Sequence, residues 1–135
     1  MNARGLFTNV ASQSTPPDAP AAGPGVGRVT HERRFEGDLV GASQADLQTC
    51  LTGDGRFGYV GTDRFTGHLA GRAGTFVFQH GGVREGGELR PFGFIVPGSG
   101  TGELAGIRGT ATIVVSEAGE HALVLDYELG VARPA

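Results

Sequence analysis

"TFVFQHGGVREGGELRPFGFIV", residues 75–96, joins two short apolar segments through a glycine-rich stretch. Side chains on a β-strand point alternately to opposite faces. In the first segment one face carries Phe76, Phe78 and His80, and the other carries Thr75, Val77 and Gln79. The second segment has Phe92, Phe94 and Val96 on one face. Alternating aromatic and β-branched residues on both sides of glycines predict a β-hairpin, with its turn at 81–88.

The same pattern of extended segments and glycine turns continues along the chain. Residues 28–51 divide into two extended halves near Glu36–Gly37, and further strands are expected at 56–69, 110–117 and 122–129. With a short strand at 4–13, about eight antiparallel strands result, and no segment has a helical period. A chain of 135 residues suits one domain, 1–135. We therefore predict an all-β fold, an eight-stranded antiparallel β-barrel, because single glycines within strands suit coiled barrel strands; a sandwich is the alternative.

The inward face is indicated for one strand only. In residues 39–51 the leucines lie opposite Gln48 and Cys50, so we predict that the more apolar leucine face (Leu39, Leu47, Leu51) is inside. For residues 75–80 either face fits the interior.

A proline-rich stretch interrupts the strands near the N-terminus. Residues 14–27, "STPPDAPAAGPGVG", contain four of the seven prolines, which neither a helix nor a central strand accepts. We expect a Pro/Ala/Gly-rich loop at about 12–27, either a connector or a lid over a cavity.

Composition limits the classes of function. A net charge of −3 indicates no nucleic-acid partner, and the absence of lysine excludes a lysine Schiff base. Cys50 is the only cysteine, so no intrachain disulfide can form. Neither a signal peptide nor a membrane span is expected, and the default is a cytoplasmic protein. We predict no metal, since the histidines lack zinc-ligand spacing, and no cofactor.

Three motifs carry a family resemblance: "RFTGHLAGRAGTFVFQHGG" at 64–82, "VPGSGTGELAGIRG" at 96–109 and "LDYEL" at 125–129. In order and spacing they resemble the bacterial family labelled domain of unknown function 3224, over about residues 28–130. The resemblance implies a small barrel similar to allene oxide cyclase and dirigent proteins, which hold an apolar small molecule and steer its cyclisation or coupling. Gly93 lies where such proteins commonly have an aromatic residue, so either an enlarged pocket or refilling by Phe92 and Phe94 is expected.

Several side chains are candidates for chemistry, each with a structural alternative. His80 is the natural proton shuttle, or a structural histidine that closes its strand. Glu103 could act as a general acid, or only bond the backbone of the glycine loop. Arg64 could pair with a carboxylate and orient a polar substrate group. Tyr59 could offer a hydroxyl to a ligand.

We predict that the residues in contact with a bound ligand are Gln79, Phe76, Phe78, Phe94 and Tyr127. The glycines at 98–102 lack the lysine and helix of a phosphate loop and predict a tight turn. The leading hypothesis is a cofactor-free cyclase or isomerase of the kind found in secondary metabolism, acting on an apolar small molecule. The alternatives are a carrier or sensor of such a ligand, and a filled structural barrel. A homo-oligomer is an open alternative.

Overall fold

The computed structural model describes residues 1–15 and 24–130 and contains eight β-strands in this part of the chain. They are β1 (Asn2–Thr15), β2 (Gly25–Gly37), β3 (Leu39–Leu51), β4 (Phe57–Leu69), β5 (Arg72–Glu85), β6 (Glu88–Ile95), β7 (Ile107–Val115) and β8 (His121–Leu129). The helical content of the described ranges is one 3₁₀ turn, Gly102–Leu104. No helix in these ranges is long and apolar enough to cross a membrane.

The strands form one closed antiparallel barrel. Each strand pairs with the next along the chain, and β8 pairs with β1 through partners such as Ala3 and Leu125. Closure removes the unpaired sheet edges that would template association. The predicted barrel is therefore confirmed, and the sandwich is excluded.

One half of the barrel interior is filled by side chains. Its largest fully buried residues are Leu39, Phe65, Leu69, Phe76, Phe78, Leu104, Ile107 and Leu125. The turns after β2, after β4 and before β7 lie at one end of the barrel, which we term the closed end. Leu39, Leu69 and Leu104 lie beside these three turns and fill that end. The opposite, open end carries the turns after β3, β5 and β7. The inward leucine face of β3 is confirmed, because Leu39 and Leu47 are buried whereas Gln48 is exposed. Leu51, at the open end of this face, is 47% exposed and lines a cavity there.

The glycine loop after β6 has an architectural role. β6 ends at Ile95, and the following segment continues its pairing with β5 through Val96 N–H to Val77 O at 2.9 Å and Thr101 N–H to Thr75 O at 2.9 Å. The Ser99 hydroxyl accepts the Val77 N–H at 3.0 Å, as a backbone carbonyl would in a sheet. This segment continues the edge of β5 beyond the end of β6, so the glycines at 98–102 have an architectural role.

Two predicted boundaries were wrong. The turn after β5 is confined to Gly86–Gly87, because Gly81 and Gly82 continue β5. A Cβ on Gly81 would come 2.5 Å from the backbone oxygen of Tyr59 on β4, so the close approach of the two strands requires glycine. β1 also extends to Thr15 and β2 begins at Gly25, which shortens the loop predicted at 12–27. The suggested lid falls on residues 16–23, outside the described residues.

Gly93 does not open a pocket. A Cβ at this position would lie 2.0 Å from the Ala111 carbonyl oxygen and 2.8 Å from the His80 Cβ. Phe92 and Phe94 do not refill the interior either, since they point outward and are 47% and 63% exposed. Both alternatives stated for Gly93 were wrong, because β6 lies too close to β5 and β7 for any side chain.

Gly93→Ala is therefore expected to lower the free energy of unfolding by about 1–3 kcal/mol, as overpacking a close-packed interior does. Urea unfolding measures the change. Gly130→Ala is the matched control, because its Cβ would meet its nearest atom, Arg108 Nη2, at 3.6 Å. Equal unfolding midpoints for the two variants would contradict the close approach.

Candidate functional site

His80 lies on the inner face of β5, in the same row as Phe76 and Phe78. This settles which face of the strand is inside. Its ring packs 5.2 Å from the Phe78 ring, and the glycine opposite on β6, Gly93, leaves room for it. The histidine is 2% exposed, so any polar partner must come from the barrel interior.

Asp63 on β4 is that partner, and it is fully buried. One carboxylate oxygen lies 2.6 Å from His80 Nε2, and the other accepts the Ser43 hydroxyl at 2.7 Å. Burial alone would raise the pKa of Asp63. The hydrogen bonds from His80 and Ser43 and the charge of Arg33 outweigh that effect and hold the pKa below its usual value. Asp63 is therefore a carboxylate at neutral pH.

Tyr59 extends this chain of contacts toward the open end. Its hydroxyl lies 3.3 Å from His80 Nδ1, and its ring crosses the histidine ring edge-on at 5.5 Å. A carboxylate can only accept, so Nε2 of a neutral His80 carries the proton and Nδ1 accepts the Tyr59 O–H. Burial raises the pKa of Tyr59. The hydroxyl is thus a protonated donor at neutral pH.

Arg33 on β2 reaches Asp63 across the intervening strand β3. Small inward residues on β3, Ser43 and Ala45, pair in register with Arg33 and Asp63 and leave space for the contact. Arg33 Nε lies 3.2 Å from Asp63 Oδ2, and the guanidinium lies 4.7 Å from the centre of the Phe7 ring. The four polar groups of Arg33, Asp63, His80 and Tyr59 form what we call the inner network.

A cavity of about 370 Å³ opens above the inner network at the open end of the barrel. Apolar side chains form most of its wall, including Leu47, Leu51, Phe57, Leu89, Ile113 and Val115. Its basic lining residues are His31, Arg33, Arg84 and His121, and Tyr59 also reaches it. We call it the mouth cavity. An apolar wall with a few converging polar groups is the usual form of a small-molecule site.

The structure brings together only two of the predicted catalytic residues, His80 and Tyr59. Glu103 lies at the closed end, where its carboxylate accepts the Ala73 N–H at 3.2 Å. Arg64 is exposed on the outer face, and no ion pair to it is present among the described residues. Glu103 and Arg64 therefore do not lie with His80 and Tyr59. Neighbouring strand residues point apart, so Asp63 takes the interior and Arg64 does not.

The predicted ligand-binding residues are also dispersed. Gln79 points outward and bonds the Thr62 hydroxyl at 3.2 Å, and Phe94 is exposed on the same outer face, so neither can line the interior. Phe76, Phe78 and Tyr127 do point inward, but they belong to the packed core cluster and do not line the mouth cavity.

Sequence reasoning missed Arg33, Ser43 and Asp63. A signal was present for Asp63, since it alternates with Tyr59 and Phe65 on one strand face. A charged residue in an inward apolar row needs a buried partner. Arg33 likewise precedes Phe35 by two positions and shares its face.

A family model described as "Protein of unknown function (DUF3224)" matches residues 3–127. The chain belongs to the DUF3224 family. The crystal structure of a DUF3224 protein of unknown function from Shewanella oneidensis MR-1, at 1.84 Å resolution, is 32% identical, covers 98% of both chains and superposes with a TM-score of 0.82. No curated protein matches the chain. The predicted family is thus confirmed, and family membership assigns no reaction to this DUF3224 protein.

Proposed function

We propose that this DUF3224 protein is a cofactor-free isomerase or cyclase, which moves a proton on a small molecule held in the mouth cavity. One observation carries the proposal: Tyr59 lines the cavity, and its hydroxyl lies 3.3 Å from Nδ1 of His80, which Asp63 holds in turn. A hydroxyl, an imidazole and a carboxylate in series form a recognised proton-transfer unit.

The proposed reaction uses this series in both directions. The Tyr59 oxygen takes a proton from a substrate carbon next to a carbonyl, while its own proton moves to His80 Nδ1. Asp63 stabilises the imidazolium that results. The reverse transfer places a proton on a different carbon, so the product is an isomer and the protein is regenerated. Tyr59 is the catalytic residue, whereas His80 and Asp63 are positioning residues that act through it.

The apolar wall supports the same proposal by a different effect. Leu47, Phe57 and Ile113 surround the space next to Tyr59. A flexible substrate packed against them would be held in one conformation, with the reacting carbon next to the hydroxyl. Cyclisation differs in the second step: the enolate carbon adds to a second carbonyl carbon of the same substrate, the π bond of that carbonyl breaks, and its oxygen takes back the proton.

Tyr59→Phe tests the proposal. Proton exchange at the γ-carbon of 3-nonen-2-one in D₂O, followed by NMR, is expected to fall at least about 100-fold, because general acid–base groups contribute factors of that size. Tyr127→Phe is the matched control, since Tyr127 is buried in the core away from the mouth cavity. Equal exchange in wild type and Tyr59→Phe would contradict the proposal.

A carrier or sensor is the second candidate. The side chains of His80 and Asp63 are wholly buried beneath Tyr59, so only Tyr59 and Arg33 of the inner network reach the cavity. Such a floor can bind a ligand without transforming it. Retained binding of the ketone with no catalysed exchange in the wild type would favour this candidate.

A further inference from the structure

Arg33 has hydrogen-bonding capacity that the protein leaves unused. The residue is 4% exposed, and buried arginines normally have their five N–H donors satisfied. Its Nε is fully shielded, yet it makes no aligned hydrogen bond and only approaches Asp63 at 3.2 Å. Its Nη1 and Nη2 form no hydrogen bond with any described residue, and Arg33 lines the mouth cavity.

The charged residues around the mouth cavity indicate which kind of ligand group would accept the unused N–H donors of Arg33. Two arginines and two histidines line it, and no Asp or Glu is among its described lining residues. Arg33 and Arg84 are the lining residues that carry a positive charge at neutral pH, in a chain whose net charge is −3. The one nearby carboxylate, Asp63, already accepts from Ser43 and is held by His80. These charges favour an anionic ligand group.

We propose that Arg33 anchors the carboxylate of the substrate, which is a small monocarboxylic acid with an apolar body. This inference rests on the mouth cavity being the site of the proposed function. The guanidinium presents two parallel N–H donors, a spacing that matches the two oxygens of a carboxylate. The guanidinium carbon lies 4.7 Å from the centre of the Phe7 ring, a contact that helps to hold the group in place. The apolar body then lies against Leu47, Leu51 and Phe57.

An acid held by Arg33 also lies in the cavity that Tyr59 lines. Both residues line the cavity, and both are in contact with the Asp63–His80 pair, Arg33 directly and Tyr59 through His80. With its carboxylate held by Arg33, an acid that also carries a carbonyl further along its chain would bring the carbon next to that carbonyl to Tyr59, as the proposed proton transfer requires. Positioning by a remote charged group is a common way in which binding energy orients a reacting centre.

Calorimetric titration of the full chain with octanoate and with octanamide tests the anchor. The two probes share a chain length, but only octanoate carries the charge. Octanoate is expected to bind at least about tenfold more tightly than octanamide, a difference of about 1.4 kcal/mol. Arg33→Lys is expected to weaken octanoate binding at least about tenfold, because lysine lacks the fork, and to leave octanamide binding unchanged. Arg34→Lys, an exposed neighbour on the outer face, is the matched control.

Equal affinities of the wild type for the two probes would overturn the anchor, and this comparison stands even if Arg33→Lys fails to fold. Octanoate binding by a folded Arg33→Lys as tight as that of the wild type would also overturn it. Octanoate bound selectively by a protein that catalyses no exchange supports the anchor and removes the isomerase. Proton exchange that depends on Tyr59, in a protein that binds octanoate no better than octanamide, supports the isomerase and removes the anchor.

Discussion

Asp63→Asn is expected to lower the free energy of unfolding by about 3–5 kcal/mol, since removing one partner of a buried ion pair leaves the other charge uncompensated. Arg33 is the charge left behind, with its Nε 3.2 Å from the substituted side chain. His80 would also lose the carboxylate that accepts its Nε2 proton at 2.6 Å. Urea unfolding monitored by circular dichroism measures the loss.

Asp46→Asn is the control for this substitution. Asp46 accepts Arg28 Nε at 2.8 Å on the outer surface, where an ion pair contributes about 0–1 kcal/mol. The pH dependence gives a second readout. Because the pKa of Asp63 is lower in the folded than in the unfolded protein, its stabilisation is complete above the unfolded value of about 3.9 and is lost as the pH falls through the folded value. Two results would contradict the buried ion pair. One is that wild type and Asp63→Asn have the same free energy of unfolding at neutral pH. The other is that Asp63→Asn loses no more stability than Asp46→Asn.

Phe76→Ala is expected to lower the free energy of unfolding by about 3–5 kcal/mol, the usual cost of truncating a buried phenylalanine. Phe76 is fully buried, and its ring lies 5.2 Å from that of Phe65 and 6.0 Å from that of Phe78. Thermal and urea unfolding measure the change.

Phe94→Ala provides the matched comparison, because the same side chain is removed from the outer face, where it is 63% exposed. The expected change is about 0.5 kcal/mol or less. Similar losses for Phe76→Ala and Phe94→Ala would mean that the inward and outward faces of β5 and β6 have been assigned wrongly.

The architecture was accessible from sequence because its signals are local. Period-two alternation at 75–80 and the leucines of 39–51 report the face of one strand at a time. Glycines between such segments report hairpins, and successive hairpins lead to an antiparallel barrel. Turn length was less accessible. Gly81 and Gly82 look like turn residues, but they lie within β5. A Cβ there would come 2.5 Å from Phe92 and 3.0 Å from Leu89, respectively.

The inner network was not accessible in the same way, because it depends on register between strands. Arg33 and Asp63 are on strands separated by β3, and they meet because Ser43 and Ala45 fall between them. A shift of one residue in either pairing would point one partner outward. Glu103 shows the converse error: it follows a conspicuous glycine loop, but that loop is at the closed end, far along the barrel from the mouth cavity.

The central claim is that the mouth cavity holds a small molecule next to Tyr59. Native mass spectrometry of the protein purified from the organism that produces it, followed by extraction of the bound molecule, tests this most directly. Thr49→Trp is the matched variant, because Thr49 lines the cavity and pairs with Tyr59 across β3 and β4, so an indole there would fill the space. We predict a mass increment from a small carboxylic acid in the wild type and none in Thr49→Trp. The same increment in both proteins would contradict the site, as would an unliganded wild type that takes up no octanoate.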